Sequence, residues 1–154
     1  MSTHLPLGLD IFVQGAVEYL DHYEDDKTAR IVINIYLADD LKPTSFIVDT
    51  GAPWCILDPI LFEEVAHYAE PLEMHVMPMS IRGITYQGTL YRLPIRIPAV
   101  LGETQEVVAT VFIPTLRTGD QWRFPNFIGL DGFLNRIRFA VDPASNLFYF
   151  GELM

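Results

Sequence analysis

The sequence predicts an all-β domain, a closed or sandwiched barrel of short strands with one or two short helices. Three observations predict it. Apolar side chains alternate with other residues at Ile31, Ile33, Ile35 and Leu37, and again at Leu93, Ile95 and Ile97, the two-residue period of a half-buried strand. Residues 107–113 form an apolar run broken only by Thr110, as expected of a strand covered on both faces. Only one stretch, 60–69, spaces its apolar residues as a helix does.

Length and composition set the outer limits. The 154 residues fit one domain, with residues 1–27 as an N-terminal extension and 28–154 as the domain itself. Half of the residues are apolar, enough for a real core. A formal net charge of -10 repels phosphate backbones, so nucleic acid is not an expected partner. No apolar run approaches bilayer length and the start lacks a signal-peptide pattern, so no membrane partner and a cytoplasmic, reducing location are expected. The single cysteine, Cys55, has no disulfide partner and reads as a small buried hydrophobe. His4, His22, His67 and His75 show no metal or triad spacing, so no metal is expected. The acidic segment 18–26 reads as a solvated turn, without the glycine and ligand spacing of a calcium loop.

The elements follow in order. A strand is expected at 9–13, then the strand 31–37, a turn at 38–43 and a return strand at 45–48, a hairpin leading into Asp49. A short strand follows at 54–57. Asp58 and Pro59 open the helix as N-cap and first helical residue, and Pro71 closes it. Residues 73–91 hold two strand-like stretches around a glycine-bearing tip at 82–88. The prolines in 93–97 suggest an edge strand. Beyond 107–113 come a loop at 114–125, an apolar approach to glycine at 127–129 and a short helix at 131–136. Strands at 138–141 and 147–150 flank a turn at 142–146.

The chemistry-bearing feature is Asp49-Thr50-Gly51-Ala52 at the end of the apolar run Phe46-Ile47-Val48. A carboxylate delivered by a buried strand needs a reason, because an unpaired buried charge is costly. The bland reading is a strand-end Asp in an Asx turn. Gly83 and Gly88 read equally well as ordinary hairpin glycines, Arg92 and Arg96 as a solvated strand face, and Trp54 and Trp122 as packing residues.

With its strand context, and with Phe127-Ile128-Gly129-Leu130-Asp131 downstream, this turn resembles the active-site turn of retropepsin-like aspartic proteases. The likeness spans residues 28–151. It implies a retropepsin-like acid protease barrel and an aspartic endopeptidase acting on peptides or proteins without a cofactor. Asp49 would be catalytic, with Thr50 and Gly51 supporting the turn. Ala52, Gly83, Ile84, Thr85 and Ile128 would meet the substrate, the middle three from a flap at 79–90. The chain carries Asp-Thr-Gly once, so the resemblance implies a homodimer that brings two Asp49 carboxyls together. Pro53-Trp54 after the turn and the lack of a Gly-Gly flap tip depart from the family's usual pattern. They motivate an alternative, a catalytically inactive peptide-binding or dimerisation module. An unrelated barrel lacking a crossing between 46–52 and 127–129 is the remaining alternative.

Overall fold

A computed structural model describes residues 14–72 and 76–153. In chain order the elements are β1 (Gly15–Glu18), β2 (Val32–Leu37), β3 (Thr44–Val48), β4 (Cys55–Ile56), helix α1 (Pro59–Val65), a 3₁₀ turn (Ala66–Tyr68) and β5 (Glu70–Pro71). Then follow β6 (Met77–Ile81), β7 (Ile84–Ile97), β8 (Leu101–Gly102), β9 (Gln105–Pro114), β10 (Asn126–Ile128), a 3₁₀ turn (Leu134–Arg136), β11 (Ile137–Asp142) and β12 (Leu147–Glu152). The strand expected at 9–13 lies outside the described residues.

Six strands close a barrel in the order β2-β3-β10-β4-β9-β7, with β7 pairing back onto β2. Closure removes the exposed edges that an open sheet would present. The strands at 31–37 and 93–97 deliver their alternating residues inward: Ile33, Ile35, Leu93, Ile95 and Ile97 are all buried in one core. The apolar run in β9 lies between β4 and β7, and Ala109 to Pro114 are buried. A second sheet, β11-β12-β1-β8, is antiparallel throughout. Phe139 stacks on Phe148 there at 6.0 Å between ring centroids.

The structure departs from the sequence expectations at four places. Residues 93–97 are not an edge strand, since β7 has β9 on one side and β2 on the other. Pro94 is tolerated because its carbonyl, which accepts from Ala38 N–H at 2.8 Å, faces the side where β2 ends. The imide nitrogen faces that side too, and Ala38 carbonyl accepts there from Arg96 Nε at 3.1 Å instead of from a backbone N–H. The helix at 60–69 is shorter: α1 stops at Val65, whose φ of -121° and ψ of 7° break the helix, and a 3₁₀ turn completes the segment. Its start is as expected, with Asp58 Oδ1 accepting from Ile60 N–H at 2.9 Å. The segment 131–136 is a turn followed by 3₁₀ structure, because Gly132 at φ 82° cannot continue a helix. Arg96 is not simply solvated. It lies over the Tyr36 ring at 5.1 Å and donates to the carbonyls of Ala38 and Asp40, both at 3.1 Å.

Core packing gives a measurable contrast. Leu93→Ala, at a fully buried barrel position, is expected to lower unfolding free energy by about 2–5 kcal/mol in chemical denaturation. Leu41→Ala, at a turn residue 89% exposed, is expected to change it by less than about 0.5 kcal/mol.

Candidate active site

Two chain segments cross beneath the Asp49 turn and hold it. Strand β3 runs parallel to β10, with Val48 beside Ile128. Beyond the strands the ladder continues through the turn. Asp49 N–H donates to Ile128 carbonyl at 2.9 Å, Leu130 N–H to Ala52 carbonyl at 2.8 Å and Asp131 N–H to Pro53 carbonyl at 2.7 Å. The crossing is tight enough to demand glycine at 129. A Cβ there would sit 2.2 Å from Trp54 carbonyl oxygen and 2.3 Å from its carbonyl carbon, and backbone cannot yield as a flexible side chain does. Asn126 ties the crossing to its surroundings. Its Oδ1 accepts from Asp58 N–H at 2.9 Å and its Nδ2 donates to Ser45 carbonyl at 3.4 Å.

Asp49 is half-buried at this crossing. Its Oδ1 accepts from Gly51 N–H at 2.9 Å, the i to i+2 bond of an Asx turn. Among the described residues, Oδ2 accepts no hydrogen bond. The Asx geometry and a chemical role are therefore compatible, because one oxygen is fixed and the other is available. Thr50 is exposed, and its hydroxyl has no hydrogen-bond partner among the described residues. Ala52 is buried and its N–H donates to Asp49 carbonyl at 3.1 Å.

A groove of about 770 Å³ lies over the turn. Its floor includes Asp49, Gly51, Ala52 and Pro53, one wall includes Met79 to Arg82 of the β6–β7 hairpin, and Phe127 comes from β10. Groove volumes of this size suit an elongated organic ligand. Ile128 is fully buried in the main core, so it does not line this groove. Side chains alternate across a strand, and on β10 it is Phe127 that faces the groove.

The hairpin is a two-residue turn. Ile81 pairs with Ile84, and Arg82 at φ 49° and Gly83 at φ 82° fill the two central positions. That is the type I′ pattern, which suits the strand twist and favours glycine at its second position. Gly83, Ile84 and Thr85 are exposed at the tip, and Ile84 is 50% exposed. They do not border the groove in the single chain. Gly88 is not at the tip but at the hairpin's base, buried where β7 meets the end of β9.

Sequence reasoning missed what supports this hairpin. Tyr86, Trp122 and Phe124 make mutual edge-to-face contacts at 5.1 to 6.1 Å, so Trp122 is a packing residue, and what it packs against is the hairpin. Arg82 lies over the Phe124 and Phe127 rings at 5.8 and 5.6 Å. Aromatic residues spread over 86–124 give no local pattern from which such a cluster can be read.

Cys55, beneath the crossing, is fully buried and its thiol is pushed up to about 12 by desolvation. Asp26, near the groove, lies below its ordinary range, chiefly through hydrogen bonds from Thr28, with smaller help from Arg30 and Arg82.

Compared with known proteins, the chain matches no family model and no curated protein. Among solved structures it is similar to a retropepsin-like aspartic protease from Rickettsia conorii, with a TM-score of 0.53 and 15% sequence identity. The match covers 89% of this chain and 91% of that one. The fold is therefore the retropepsin-like barrel. Among the described residues no helix is long and apolar enough to cross a membrane.

Two results test the crossing. Gly129→Ala is expected to destabilise the fold by several kcal/mol, or prevent it, because the added methyl meets backbone. Cys55 is expected to resist a thiol reagent at pH 8 in the native protein and to react at once in denaturant.

Proposed function

We propose that the chain is an aspartic endopeptidase whose dyad forms from the Asp49 residues of two copies. The observation that carries the reading is Asp49 itself. Its carboxyl sits on the floor of the groove, with Oδ1 fixed by Gly51 N–H and Oδ2 without an internal partner. The fold's likeness to a retropepsin-like protease supports the same reading, and the exposed hydroxyl of Thr50 suits a contact with a second copy.

The chemistry needs two carboxyls close enough to share one proton, since like charges at that spacing do not readily ionise together. The ionised carboxylate takes a proton from a water molecule as its oxygen attacks the scissile carbonyl carbon. The protonated carboxyl gives its proton to the carbonyl oxygen, and a tetrahedral diol forms. One carboxyl then gives a proton to the amide nitrogen while the other takes a proton from a diol hydroxyl, the C–N bond breaks, and acid and amine products leave with the shared proton restored. This is general acid–base catalysis with no covalent enzyme intermediate. Ala52 forms part of the groove floor. Gly83, Ile84 and Thr85 at the hairpin tip would reach the peptide as the hairpin closes over it, which also excludes water.

The test joins activity to assembly. Wild-type protein is expected to cleave members of a peptide library and to be dimeric by light scattering. Asp49→Asn is expected to lower cleavage by at least about a hundredfold while remaining dimeric. A dimer that binds peptides and cleaves none favours the inactive binding module, and cleavage that survives Asp49→Asn sinks the dyad.

A further inference from the structure

We propose that Arg82 makes the groove selective for peptides carrying a carboxylate side chain. The inference rests on the groove being a peptide site. Arg82 stands at the hairpin tip and borders the same groove as Asp49. Its guanidinium lies over two ring faces, Phe124 at 5.8 Å and Phe127 at 5.6 Å. Among the described residues it makes no hydrogen bond and no ion pair, and a carboxylate neighbour, Asp26, feels it only as a small electrostatic influence. A guanidinium held over rings in this way spends no N–H donor on them, and its donors form a planar fork that matches a carboxylate. The aromatic support also limits the side-chain freedom lost on binding.

The position is informative in another way. The first central position of a type I′ turn favours asparagine, aspartate or glycine, yet Arg82 occupies it at φ 49°. Local propensity does not explain an arginine there, whereas its seat on Phe124 and Phe127 does. The chain has 10 basic residues against 20 acidic ones, and Arg30 also lines this groove. Arg30 is partly engaged, with Asp26 at 3.6 Å. Asp21 and Asp49 line the groove too. Asp21 has His22 Nδ1 at 2.8 Å, and Asp49 has one of its two oxygens fixed by Gly51 N–H. Among the described residues that line the groove, Arg82 is thus the arginine without an ion pair.

The experiment compares peptides that differ only by Glu against Gln at each position flanking a cleaved bond. Wild type is expected to favour one Glu peptide over its Gln twin by about tenfold in kcat/KM, the selectivity of one charge-assisted hydrogen-bonded pair. In Arg82→Met that ratio is expected to fall to about one, and in Arg82→Glu the preference is expected to shift to a Lys peptide. Equal cleavage of Glu and Gln peptides by wild type, or a preference that persists in Arg82→Met, overturns the inference. If no peptide is cleaved, fluorescence anisotropy with the same peptides on Asp49→Asn and wild-type protein reads binding alone. A Glu preference lost with Arg82 then supports the inference while proteolysis fails, and equal binding of the twins overturns it.

Discussion

The structure depends on one close backbone approach, that of Gly129 to Trp54. Two of the bonds that hold the turn around Asp49 depend on it. If the two segments stood farther apart, Leu130 N–H would not reach Ala52 carbonyl at 2.8 Å, nor Asp131 N–H reach Pro53 carbonyl at 2.7 Å. Such groups would be left unpaired in a partly buried setting, at a cost of about 1–3 kcal/mol each. The absence of a Cβ at one residue is therefore what allows a strand end carrying a carboxylate to be rigid. Rigidity matters because a misplaced catalytic group loses its advantage steeply with distance.

The hairpin obeys a different constraint. Past Gly88, β7 loses β9 as a neighbour and is paired only with β6. A two-stranded hairpin is marginal by itself in water, so this one depends on Tyr86, Trp122 and Phe124 at its base and on Arg82 near its tip. Edge-to-face ring contacts are worth about 0.5–1.5 kcal/mol each beyond their burial. The base is thus held more firmly than Gly83 to Thr85, which are exposed. A cover over a groove needs that gradient: a pinned root, and a tip that can lift at small cost.

Much of the barrel was legible in the sequence because period-two alternation is a local signal. Ile33, Ile35, Leu93, Ile95 and Ile97 announce their inward face, and Asp58-Pro59 announces a helix start. What was illegible depends on partners distant in the chain. Pro94 suggested an edge, but only the end of β2 decides whether its missing N–H matters. Ile128 was expected to line a pocket, yet the register that puts Val48 beside it turns it inward and turns Phe127 to the groove. Gly132 shortens an expected helix through a positive φ that composition does not announce. Arg82 and Trp122 gain their roles from rings at 124, 127 and 86, which no window around either residue contains. The turn at Asp49 was conspicuous because carboxylate, hydroxyl and glycine fall together after an apolar strand.

The pair Pro53-Trp54 is the departure that most threatens a chemical role, since bulk after the turn could fill the groove. The structure separates the two residues. Pro53 is exposed on the groove floor, while its carbonyl accepts from Asp131 N–H. A proline lacks only the donor, so that ladder bond survives. Trp54 is half-buried and packs against the cluster that holds Ile47, Ile56, Phe112 and Phe127. It is absent from the lining of the groove. The indole supplies packing under the wall, and its backbone forms the surface against which Gly129 rests. Bulk at 54 thus stiffens the turn from behind without narrowing the space in front of Asp49, and the groove stays open.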